Sequence, residues 1–123
     1  MRIAYLGLIA VLACFASIEA GGAEYVSDGH VYDMECTGDG YRFTSKYPVA
    51  RTVGSGADSH IVTKPEKLYL GRDCDAYHEI FGNGTWCWAN GGFVAEFTDM
   101  KFGFGRQELW CEPERDYEQN CRC

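Results

Sequence analysis

Apolar and polar positions alternate from Thr85 to Phe97 on both sides of Asn90-Gly91, a dipeptide that favours a two-residue hairpin loop. The pattern predicts a β-hairpin in which Trp88 faces Phe93 and Trp86 faces Ala95. Both tryptophans and Phe97 then share one side, expected to be core. Cys87, Val94 and Glu96 point the other way, where Cys87 could anchor a second layer through a disulfide.

Shorter alternating runs precede and follow this hairpin. Val31–Cys36 and Tyr41–Thr44 flank the turn-forming Thr37-Gly38-Asp39-Gly40 and predict a first hairpin. Pro48 confines its neighbourhood to an edge strand or a loop leading into Val49–Val53, and His60–Thr63 and Lys67–Leu70 predict two more strands on either side of Pro65. Gly54–Ser59 is flexible by composition, a plain connector with a binding loop as the alternative. Asp73–Phe81 is the one stretch where a helix competes: Asp73 could cap it, Gly82 could end it, and Ala76, Tyr77, Ile80 and Phe81 fall at helical spacing. Met100, Phe102 and Phe104, then Leu109–Cys111, read as the last strands. Gly21–Gly29 reads as a loosely held start, with order beginning near Val31. The expectation is therefore an α+β, β-dominated single domain: a small antiparallel sheet with one short helix.

The N-terminus changes where this domain is expected to work. Arg2 followed by an apolar run from Ile3 to Ala16, then Ser17–Ala20, has the form of a secretory leader. Residues 1–20 are expected to be a signal peptide cut after Ala20, with Ala23 as the second choice, leaving 21–123 as the exported domain. Removal of Cys14 leaves Cys36, Cys74, Cys87, Cys111, Cys121 and Cys123. An even set in a small exported chain suits three disulfides substituting for a modest core. About fifteen pairings are open. Cys74 with Cys87 is the preferred local pair, and Cys36 to Cys111 a plausible long clamp, with Cys121 and Cys123 left to other partners or to each other. Only those last two would hold the charged tail, 112–123, on the body. A zinc site is not expected, since Cys-Arg-Cys is not a typical zinc spacing and exported thiols oxidise. No metal or other cofactor is called for.

The formal net charge of -7 disfavours binding to nucleic acid and a cationic attack on membranes. Catalytic constellations are incomplete. There is no Gly-x-Ser-x-Gly elbow and no His-Glu-x-x-His helix, and His30, His60 and His78 carry no sequence sign of a catalytic partner. Asp73, Asp75 and Glu79 read as a solvated face. Tyr25, Tyr32, Tyr47, Tyr69 and Tyr117 are candidates for exposed aromatics that could stack on sugars or fill a partner's pocket. Asn83-Gly84-Thr85 is an N-glycosylation sequon in an expected turn.

A leader, a short mature chain, six cysteines and no catalytic motif together resemble the small secreted cysteine-rich effectors of plant-pathogenic fungi. A narrower resemblance is to the ribonuclease-like subset, with Tyr32, Cys36, Gly40, Tyr41 and Cys111 in the places of its aromatic residue and long bridge, although three residues separate Tyr32 from Cys36 where that subset has one. A fungal guanyl-type ribonuclease would add a histidine, a glutamate, an arginine and a later histidine. His60, Glu79 and Arg106 can stand for the first three, and no histidine follows Arg106. The resemblance thus implies a lost activity. The expected function is that of a secreted, non-enzymatic interaction protein, a monomer acting as a pathogen effector on a host protein. Ribonuclease and carbohydrate-binding module are the alternatives.

Overall fold

Inward and outward side chains alternate through nearly every strand of the computed structural model, in which residues 24–89, 91–111 and 121–123 are described. The expected leader and residues 112–120 of the tail lie outside them. Ten strands run in chain order: Glu24–Ser27 (β1), His30–Thr37 (β2), Gly40–Ser45 (β3), Val49–Val53 (β4), His60–Lys64 (β5), Lys67–Gly71 (β6), Asp75–His78 (β7), Gly82–Ala89 (β8), Gly92–Glu96 (β9) and Lys101–Phe104 (β10). Eight form one antiparallel sheet in the order β1-β2-β3-β6-β7-β8-β9-β10, an up-and-down meander. The β4–β5 hairpin is a separate two-stranded ribbon inserted between β3 and β6, with a 3-10 turn at Gly56–Asp58 in its far loop.

The large sheet curls until its two ends meet, giving a nearly closed barrel. No backbone ladder joins β1 to β10. The Gln107 side chain bridges the seam instead: its Oε1 accepts from the Val26 N–H at 2.7 Å and its Nε2 donates to the Val26 carbonyl at 2.8 Å. Alternation fills the interior with rings. Tyr25, Tyr32, Tyr41, Phe43, Trp86, Phe93, Phe102 and Phe104 are all buried, with Phe93 and Phe104 stacked at 4.6 Å and Tyr25 edge-on to Phe43 at 5.3 Å.

The hairpin register is the expected one, Trp88 opposite Phe93 and Trp86 opposite Ala95, with Gly91 at φ +82° in the two-residue loop. Trp86 is fully buried and its Nε1 donates to the Gly71 carbonyl at 2.7 Å. Trp88 is only half-buried, packed on the rim of the core.

Three expectations are corrected. The fold is all-β, not α+β: among the described residues there is no α-helix, and the helix expected over Asp73–Phe81 is strand β7 followed by a turn. The inward residues there are Ala76 and His78, at a spacing of two, and Cys74 at φ +64° bars a helix from running through it. Gly21–Gly29 is not a loosely held start throughout: Glu24–Ser27 form strand β1, beginning seven residues before Val31, with Tyr25 and Ser27 buried against the barrel. Leu109–Cys111 is not a strand, although Leu109 and Cys111 are buried.

The disulfides are Cys36–Cys111, Cys74–Cys121 and Cys87–Cys123. The long clamp is as expected, and the local Cys74–Cys87 pair is replaced. Strand β7 has four residues and β8 eight, so β8 beyond Thr85 lacks a β7 partner. The tail fills that edge: the Trp88 N–H donates to the Cys121 carbonyl at 2.6 Å, and the Cys123 N–H to the Trp88 carbonyl at 3.0 Å. Cys121 and Cys123 are thereby brought to Cys74 and Cys87.

Candidate functional site

The main cluster of ionisable groups inside the fold is centred on Glu66, which follows Pro65 where the chain leaves the ribbon for the barrel wall. Its backbone is fixed first, the N–H donating to Ser45 Oγ at 2.7 Å and the carbonyl accepting from the Ser45 N–H at 2.8 Å. That turns the carboxylate inward, where it is 3% exposed. Three strands then deliver its partners. Tyr32, inward on β2, donates its hydroxyl to Oε2. Arg51 reaches in from β4, with Nε donating to Oε1 at 2.7 Å and Nη2 to Oε2 at 2.9 Å. His78, inward on β7, places Nε2 2.7 Å from Oε1, off the line of its ring N–H. The other ring nitrogen, Nδ1, accepts from the backbone N–H groups of Ile80 and Phe81, which assigns the imidazole proton to Nε2.

Rings enclose the charges. The His78 ring stacks on Phe102 at 5.3 Å, and the Arg51 guanidinium lies 5.3 Å from the Phe102 centroid and 5.6 Å from that of Phe81. Burial works against a charge on Glu66, but the contacts with His78, Arg51 and Tyr32 outweigh it and hold the carboxyl well below the usual carboxylate range. Burial, with the neighbouring carboxylate, pushes the Tyr32 hydroxyl well above its ordinary value. The bond to Glu66 raises Arg51 in turn, against the effect of burial.

Chemically this is the kit of an acid–base catalyst, but its acceptors are occupied and its cavity holds about 10 Å³, the threshold for one water. No substrate reaches Glu66 in this conformation. What the cluster does is fasten the ribbon, through Arg51, to the barrel.

The residues matched to a ribonuclease are not brought together. His60 is exposed at the start of β5, Glu79 pairs with Lys64 at 3.1 Å in the β7–β8 turn, and Arg106 stands at φ +57° in the turn leaving β10. Of the tyrosines, Tyr25 and Tyr32 are core, Tyr47 is 66% exposed, Tyr69 is half-buried on the outer wall, and Tyr117 lies outside the described residues. Asn83 is exposed on strand β8, not in a turn. Among the described residues, no group of three or more His, Cys, Asp or Glu could hold a metal, and no helix is long and apolar enough to cross a membrane. Three disulfides are consistent with an oxidising, extracellular setting.

The Glu66 cluster went unnoticed in the sequence because its members come from four separate runs. The available signals were Arg51 at an inward position between Val49 and Val53, and a glutamate between Pro65 and an alternating strand. Comparisons with family models, with curated proteins and with solved structures returned no match.

Outside the barrel, the outward face of the ribbon is not covered by any of the described residues. On the ribbon, Val49, Arg51, Val53 and Val62 face inward to varying depth, whereas Ala50, Thr52, Ile61 and Thr63 form the opposite face and are all exposed, Ile61 at 70%.

Proposed function

We propose that this chain is a secreted, non-enzymatic interaction protein of the pathogen-effector kind, which binds a host protein through the outward face of the β4–β5 ribbon. The observation that carries this reading is the Arg51–Glu66 lock, which commits the main buried acid–base cluster to holding a ribbon rigidly outside the barrel. A fixed ribbon with Ile61 and Thr52 opposite one another on an uncovered face loses little conformational entropy on binding. Its free strand edges offer backbone groups to an added strand.

Binding partners captured from host extract by the wild type should be lost with Ile61→Arg or Thr52→Glu, at unchanged melting temperature, and kept with a substitution at exposed Lys101 on the far side of the sheet order. Capture that ignores both ribbon variants would reject the ribbon as the contact. Incubation with RNA separates the enzymatic alternative, since cleavage abolished by His60→Ala or Glu79→Ala would replace the interaction reading. Retention on insoluble chitin or cellulose would instead favour a carbohydrate-binding module.

A further inference from the structure

Strand β8 carries the sequon Asn83-Gly84-Thr85 as three consecutive strand residues, so Asn83 and Thr85 project from the same face. Both are exposed. Gly84 points inward, where a Cβ would come within 2.2 Å of the Glu96 carbonyl, so the barrel itself requires glycine between the two sequon side chains. Across the ladder Asn83 is paired with Tyr77, which is 46% exposed, and Tyr77 is paired with Tyr69, the two rings 6.0 Å apart. An acceptor amide therefore stands beside a partly uncovered pair of aromatic faces on the outer wall.

We propose that Asn83 carries an N-linked glycan whose first sugar packs against Tyr77 and the adjoining Tyr69. The proposal rests on the reading of the chain as secreted. In the modification, Asn83 Nδ2 attacks the anomeric carbon of an oligosaccharide carried on a lipid pyrophosphate. The C1–O bond to the pyrophosphate breaks as the C1–Nδ2 bond forms, the lipid pyrophosphate leaves, and the amide gives up one proton to the transferase. The sequon hydroxyl of Thr85, on the same strand face, is what the transferase requires. The attached sugar then has its directly opposite neighbour in Tyr77, at the cross-strand distance over which side chains in a sheet interact. Its apolar C–H face covers a ring that the isolated polypeptide leaves in water.

The test is secretion of the full chain from a eukaryotic cell, with its own leader and, in parallel, behind a leader of known function. Intact mass should show one glycan per chain, removed by peptide N-glycosidase and absent from both Asn83→Gln and Thr85→Ala, while Thr85→Ser retains it. Secreted, folded wild type with an unmodified Asn83 would overturn the proposal and leave the secretory reading standing. Export only behind the second leader would instead count against the secretory reading, with Asn83 occupancy still deciding the acceptor. For the packing, enzymatic deglycosylation should lower the melting temperature of the wild type by a few degrees and that of Tyr77→Ser by clearly less. Equal shifts in the two proteins would reject the tyrosine contact.

Discussion

Arg51 on the ribbon grips Glu66 at the barrel wall through two bonds, Nε to Oε1 at 2.7 Å and Nη2 to Oε2 at 2.9 Å, with the two side chains 14% and 3% exposed. Removing the cation leaves a buried carboxylate with a hydroxyl and an imidazole. Arg51→Ala should therefore cost about 3–5 kcal/mol in urea unfolding. Glu66→Gln should also destabilise, because it leaves the Arg51 guanidinium, itself 14% exposed, without its counter-charge. Equal unfolding midpoints for wild type and Arg51→Ala would show that the pair does not hold the ribbon.

The same carboxylate sets a pH dependence. Its pKa in the folded state lies below the value of about 4.3 expected when unfolded, so the unfolded chain binds more protons in the interval between the two. The stabilisation is complete above the unfolded value and is lost as pH falls toward the folded one. The stability difference between wild type and Glu66→Gln should thus be flat from neutral pH to about pH 5 and shrink in more acid solution. A difference that grows on acidification would contradict the assignment.

Tyr32 should show the opposite sign. Its hydroxyl is raised above the ordinary tyrosine value, so the stability it supplies is present below about pH 10 and falls as pH climbs toward the folded pKa. Tyr32→Phe removes one bond to a charged group and should cost about 1.5–3 kcal/mol at neutral pH. Absorbance titration of the phenolate, wild type against Tyr32→Phe, checks the shift directly.

The tail should be worth as much as the lock. Replacing both Cys74 and Cys121 by Ala opens a loop whose ends are 47 residues apart, for which chain entropy suggests a loss of about 4 kcal/mol. It also loosens the edge of β8 where the Trp88 N–H donates to the Cys121 carbonyl, while Cys87–Cys123 still holds the last residue of the tail. Trp88 emission should shift to the red in the double variant while the protein remains folded.

The two tryptophans should behave differently. Trp86 is fully buried with its indole N–H bonded to Gly71, so Trp86→Ala should cost about 3–5 kcal/mol. Trp88, half-exposed on the rim, should cost clearly less, which thermal melts of the two variants will show.

What could be read ahead of the structure was local. The Asn90-Gly91 turn fixed the register of Trp86 and Trp88, and alternation located β2, β3, β6, β9 and β10 within one or two residues, while β8 starts at Gly82, three residues before the expected Thr85. His78 defeated the pattern at β7: counted as polar, it lets Ala76, Tyr77, Ile80 and Phe81 look helical, whereas its true place is 1% exposed beside Glu66. The site was illegible for a related reason. A buried glutamate is recognisable only by its partners, and these lie 34, 15 and 12 residues from Glu66, on strands whose mutual order only the closed sheet reveals. Cys121 likewise finds Cys74 only because β7 ends short of the length of β8.

Every disulfide joins one of Cys36, Cys74 and Cys87 to one of Cys111, Cys121 and Cys123. A nascent chain therefore exposes Cys36, Cys74 and Cys87 before any native partner for them has been translated. Whatever bonds those thiols make among themselves on the ribosome are wrong and must be undone by exchange. Oxidative maturation should accordingly wait for synthesis to reach Cys123 and depend on isomerase more than on oxidant.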